Sequence, residues 1–72
     1  MDIWQLEKMV LEYCQRNEIR LKKTYRNNDA GAFFAESFDA ELLEAYIGKA
    51  GRVVFKLNGK RTSIYQKGAG EK

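Results

Sequence analysis

The chain reads as a small α+β domain, with two amphipathic helices packed on one face of an antiparallel sheet in the order α-β-β-α-β-β. Three observations predict this class. Apolar residues near the N-terminus recur at spacings of three and four, two later stretches switch to a period of two, and Asn58-Gly59 sits between alternating runs. With 72 residues there is material for one core only. A hydrophobic share of 44% beside 32% charged residues is the balance of a folded domain and not of a disordered segment.

The first helix is predicted over Asp2 to about Arg16. Ile3, Leu6, Val10, Tyr13 and Cys14 form one face, while Gln5, Lys8, Glu12 and Gln15 form the other. Trp4 and Leu11 widen the apolar arc on one flank and Met9 widens it on the other. An arc that wide predicts either packing on two sides or a partner on the Trp4/Leu11 flank. From Glu18 to Arg26 the pattern alternates. Ile19, Leu21, Lys23 and Tyr25 are expected on one face, and Arg20, Lys22, Thr24 and Arg26 on the other. Asn27 to Gly31 has turn chemistry, and residues 32–38 alternate again with Phe34 and Phe38 flanking Glu36, which completes a hairpin. The competing reading puts Ala32–Ala35 in a helix.

A second helix is predicted from the N-cap Asp39 to the C-terminal Gly48, with Leu42, Leu43, Tyr46 and Ile47 inward and Glu41 and Glu44 outward. Asn58-Gly59 then predicts a type I′ hairpin of residues 52–57 and 60–65. Pairing Leu57 with Lys60, Phe55 with Thr62 and Val53 with Ile64 leaves Arg52, Val54, Lys56, Arg61, Ser63 and Tyr65 on the opposite face. The domain spans residues 1–66, followed by a flexible tail over 67–72. The alternative architecture is a winged-helix domain, in which residues 33–38 are helical, 39–47 form the recognition helix and 52–66 the wing.

Charge alternates in blocks along the chain. Arg20, Lys22, Lys23 and Arg26 stand without an acid over residues 19–27, and Asp29, Glu36, Asp39, Glu41 and Glu44 stand without a base over 28–48. Seven of the 24 residues from 49 onward are basic and one is acidic, although the chain's net charge is only +3. If both hairpins share a sheet, Arg20, Lys22, Arg26, Arg52, Lys56, Lys60 and Arg61 gather on its open face or hairpin tip, with Tyr65 and Phe34 among them. Cations of that kind attract phosphates and aromatic rings stack on unpaired bases, so DNA or RNA is the expected partner. The alternative is a protein-binding adaptor or inhibitor that uses Trp4 and Leu11 as its interface, or a homodimer through the same helix. In size, basic sheet and acidic helices the chain resembles in style the small accessory proteins of phages and mobile elements.

Catalysis is not expected. The chain has no histidine, and Glu41 and Glu44, one turn apart on the predicted helix, make an ordinary solvated face. Cys14 lies among Val10, Leu11 and Tyr13, which predicts a buried and inert thiol. No cofactor or metal is expected, because one cysteine and no histidine leave no familiar ligand set. Asp2 and Glu7 interrupt the apolar N-terminus, which argues against a signal peptide and for a cytoplasmic protein.

Overall fold

The computed structural model describes residues 2–65 and has one helix on a five-stranded antiparallel sheet. The elements are α1 (Ile3–Arg16), β1 (Leu21–Asn27), β2 (Ala32–Ser37), β3 (Leu42–Ile47), β4 (Val53–Leu57) and β5 (Lys60–Arg61), with a single 3₁₀ turn at Lys49–Gly51. The sheet is a meander in which each strand pairs with the next in sequence. The predicted tail over residues 67–72 lies outside the described residues.

α1 starts where the sequence places it. The Asp2 carboxylate accepts the Gln5 backbone N–H at 2.9 Å, and the Gln5 side chain accepts the Asp2 N–H at 3.0 Å, a reciprocal capping box. At the other end the Ile19 N–H donates to the Cys14 carbonyl at 2.8 Å and the Glu18 N–H to Gln15 at 3.3 Å. This is a Schellman closure, and it holds Glu18 at φ 57°, a conformation that glycine adopts more readily.

The second predicted helix is a strand. Residues 42–47 alternate: Leu43, Ala45 and Ile47 pack toward α1 with the core, while Leu42, Glu44 and Tyr46 take the other face. Leu42, Leu43, Tyr46 and Ile47 satisfy a period of two as well as one of 3.6. Pairing with β2 on one side and β4 on the other settles the choice, because both neighbours offer open edges at this position. Asp39 is accordingly not a helix cap. It lies in the β2–β3 turn, where the Ser37 hydroxyl accepts the backbone N–H groups of Asp39 at 3.1 Å and Glu41 at 3.0 Å. Neither the α-β-β-α-β-β order nor the winged-helix alternative survives, since residues 33–37 are also strand and the turn at Gly48 leads into the 3₁₀ turn.

The last hairpin turns at Asn-Gly as read, but its second strand covers only Lys60–Arg61 and not residues 60–65: the Thr62 N–H still donates to the Phe55 carbonyl at 2.9 Å, while the expected pairing of Val53 with Ile64 is not made. Asn58 and Gly59 have φ of 53° and 84°, and Leu57 pairs with Lys60 and Lys56 with Arg61. Asn58 also fastens the turn to β3, since its side-chain oxygen accepts the Leu42 N–H at 2.9 Å. β5 ends at Arg61, and Ile64 then enters the core, with its carbonyl held by the Arg16 guanidinium at 2.6 Å. The core lies between α1 and the sheet: Leu6, Val10, Tyr13 and Cys14 meet Phe33, Ala35, Leu43, Ala45 and Phe55. Alanines at 35 and 45 let the helix approach the central strands closely, and the Tyr13 ring stands edge-on to Phe55 at 4.7 Å.

Candidate nucleic-acid interface

A single helix covers only one face of the sheet. The other face is built in cross-strand rows set by the register. Tyr25, Phe34, Glu44, Lys56 and Arg61 form one row, Lys23, Glu36 and Leu42 the next, and Ala32, Tyr46 and Val54 a third. Three aromatic rings therefore meet on the open side. Tyr25 stacks on Phe34 with centroids 6.2 Å apart and planes inclined by 27°, and Tyr46 stands edge-on to Phe34 at 5.9 Å. Tyr25 is 62% exposed, so this stack faces solvent. The Tyr46 hydroxyl donates to the Glu44 carboxylate at 3.2 Å, which fixes the third ring. Burial and the neighbouring Glu44 push the Tyr46 phenol above its ordinary value.

The cations around this stack are only partly those expected. Lys56 and Arg61 are on the open face as predicted and stand directly opposite each other. Two like charges facing across a hairpin repel by up to about 1 kcal/mol, a cost that an anion between them would reverse. Arg26 is on the other side of the sheet. The register of β1 slips between Leu21 and Lys23, and that irregularity exchanges the faces of everything after it. Arg26 consequently opposes the core residue Phe33, places its guanidinium 4.1 Å from the centre of the Trp4 ring and reaches Glu7 at 3.6 Å. Lys23 and Tyr25, expected on the core face, occupy the open face instead, and Lys23 pairs with Glu36 at 3.5 Å.

The remaining predicted residues are dispersed. Arg20 precedes β1 and sits 5.3 Å from the Phe38 ring, Lys22 is exposed within the β1 irregularity, and Arg52 is exposed just before β4. Lys60 is at the hairpin tip, and Tyr65, 69% exposed, follows the last strand and is not part of the sheet. Trp4 and Leu11 are exposed on α1, with Trp4 covered on one side by Arg26. Tyr25, Tyr46 and Lys23 were not singled out from the sequence. Taking residues 42–47 as a strand would have placed Tyr46 beside the Phe34 row, and that was the available signal.

Cys14 is buried at 3% exposure, and burial, with the nearby Glu41 second, raises its thiol from 9.0 to about 11. The neutral thiol is thus favoured in the folded state. The unfolded chain begins to lose its proton near pH 9 and the folded one only near 11, so this contribution to stability is complete below pH 9 and falls away between pH 9 and 11. Two measurements check this. Denaturation midpoints should decline through that window, more steeply in the native chain than in Cys14→Ala, and a thiol reagent at pH 8 should react only as fast as the protein opens. Rapid labelling of the folded protein would contradict the burial.

Among the described residues no cluster of His, Cys, Asp or Glu is arranged to hold a metal ion, and no helix is long and apolar enough to cross a membrane. Comparisons with protein-family models, with curated proteins and with solved structures give no match.

Proposed function

We propose that the protein binds single-stranded nucleic acid on the open face of its sheet. The observation that carries this reading is the solvent-facing Tyr25–Phe34 stack in the same row as the facing cations Lys56 and Arg61. Unpaired bases stack on exposed rings at about 1–3 kcal/mol per base, and lysine and arginine supply the attraction to phosphates. Exposed rings on a sheet are open to unpaired bases, whereas a duplex keeps its base faces hidden. The net charge of +3 supports modest, salt-sensitive affinity. A second reading, a partner protein on the outer flank of α1, is favoured by one observation, the 61% exposure of Trp4 beside an exposed Leu11.

Anisotropy titrations of labelled single- and double-stranded oligonucleotides, at low and near-physiological salt, test the first reading. Single strands are expected to bind more tightly than duplexes. Tyr25→Ala should weaken single-strand binding about 5- to 150-fold, from the stacking energy of one base. The double variant Lys56→Ala, Arg61→Ala should flatten the salt dependence by about two phosphate contacts. Unchanged affinity in Tyr25→Ala, or no binding of any strand at low salt, would overturn this reading and direct attention to Trp4 and Leu11.

A further inference from the structure

Beside the aromatic stack lies a shallow cavity of about 420 Å³, lined by Lys23, Thr24, Tyr25, Phe34, Glu36 and Leu42, among others. Its walls are mostly ring and aliphatic carbon, and Lys23, Thr24 and Glu36 contribute its polar groups. The Glu36 carboxylate, about one-third exposed, is paired with a Lys23 ammonium that is itself largely in solvent. An acid at this position needs an account, because a surface that only attracted phosphates would gain nothing from it. Phosphates are repelled by a carboxylate, but the Watson–Crick edges of some bases are not. Guanine presents N1–H and an exocyclic amino group side by side, which match the two oxygens of one carboxylate. Cytosine and adenine each present an amino group, while uracil and thymine offer a single N3–H flanked by two carbonyl oxygens that repel a carboxylate.

We infer that this cavity holds one nucleobase, its face on Phe34 and Leu42 and its donor edge on Glu36, and that the pocket selects guanine over uracil or thymine. The inference rests on the single-strand reading above and adds base selectivity to it. Lys23 has a defined part. Its ammonium neutralises Glu36 in the free protein, and when a base donates to the carboxylate the lysine, on its flexible and exposed stem, is free to meet the adjoining phosphate. The exchange keeps the acid paired in both states. It also explains why the acid is on the open face beside an apolar cavity and not on the outer rim.

The probes are labelled uridine octamers and the same octamers carrying one central guanosine. A bidentate pair to a base edge discriminates by about 1–3 kcal/mol, so the guanosine octamer should bind about 5- to 150-fold more tightly. Glu36→Gln, whose amide can donate to a uracil carbonyl, should remove most of that preference while uridine binding holds or strengthens. Circular dichroism of the variant establishes that it folds, and the comparison of bases on the unaltered protein stands without it. Equal affinity of the native protein for both octamers overturns the base pocket and leaves the stacking surface intact. Failure to bind either octamer overturns the pocket together with the single-strand reading on which it rests. A guanosine preference that survives in Glu36→Gln overturns the role given to the carboxylate.

Discussion

Phe55→Ala is expected to remove about 3–5 kcal/mol of stability, the range for emptying a buried phenylalanine site. The ring is 2% exposed, stands edge-on to Tyr13 and lies on β4 opposite Ala45, whose single methyl fills little of the space the ring would leave. Total stability for a domain of this length is only about 3–10 kcal/mol, so the variant should be largely unfolded at moderate temperature. Urea or thermal denaturation followed by circular dichroism gives the comparison. Lys56→Ala, one residue further along the same strand but on the open face, should change the midpoint by about 0.5 kcal/mol or less. A small loss in Phe55→Ala would mean that α1 does not pack on the sheet as described. The contrast between two adjacent residues therefore measures which face of the sheet carries the core, independently of any binding assay.

That face assignment is also where the sequence was most and least informative. α1 is legible because Ile3, Leu6, Val10, Tyr13 and Cys14 recur at spacings of three and four; the Asp2–Gln5 capping box, visible in the structure, adds to that signal. The β4–β5 hairpin is legible because only a turn with positive φ at both central residues makes Asn-Gly the preferred pair. Residues 42–47 are ambiguous locally. Leu42 and Leu43 are adjacent, Tyr46 and Ile47 are adjacent, and such pairs fit a helix as well as they fit a strand buried on one side and half-covered on the other. Only the neighbouring strands resolve them, and those are non-local. β1 fails differently. Its alternation is real, but the irregularity between Leu21 and Lys23 reverses it midway, and nothing in a run of Lys-Lys-Thr marks where a strand will bulge. The consequence for the candidate site is specific. The expected group Arg20, Lys22 and Arg26 is replaced on the open face by Lys23 and Tyr25, so a surface anticipated as basic is instead aromatic with cations at its margins.

Besides Asn58, whose turn type asks for it, three non-glycine residues lie in the left-handed region: Glu18 at φ 57°, Ala40 at 65° and Ala50 at 59°. Replacing all three with glycine is expected to raise stability by about 1.5–3 kcal/mol. A left-handed conformation costs an L-residue about 1–2 kcal/mol, and glycine's greater freedom in the unfolded chain returns part of that gain. The three sites lie in separate turns, after α1, between β2 and β3 and before β4, so their effects should add. Ala40 is the most informative of them. The Ala40 N–H closes on the Ser37 carbonyl at 3.1 Å and the Ser37 N–H on Glu41 at 2.9 Å, a three-residue loop whose last position favours glycine on steric grounds. The reciprocal control is Gly59→Ala. Gly59 has φ 84°, and an added Cβ there would meet nothing within 4 Å, so any loss reports backbone conformation alone and should be about 1 kcal/mol. Thermal midpoints give both signs on one scale, at about 4–8 °C per kcal/mol for a domain of this size. A loss at Gly59 with no gain at Ala40 would mean that the β2–β3 loop relaxes out of the left-handed region in solution. The start of β3 would then lean more heavily on the Ser37 hydroxyl and Asn58, and Ser37→Ala would be more damaging than its single side-chain oxygen suggests.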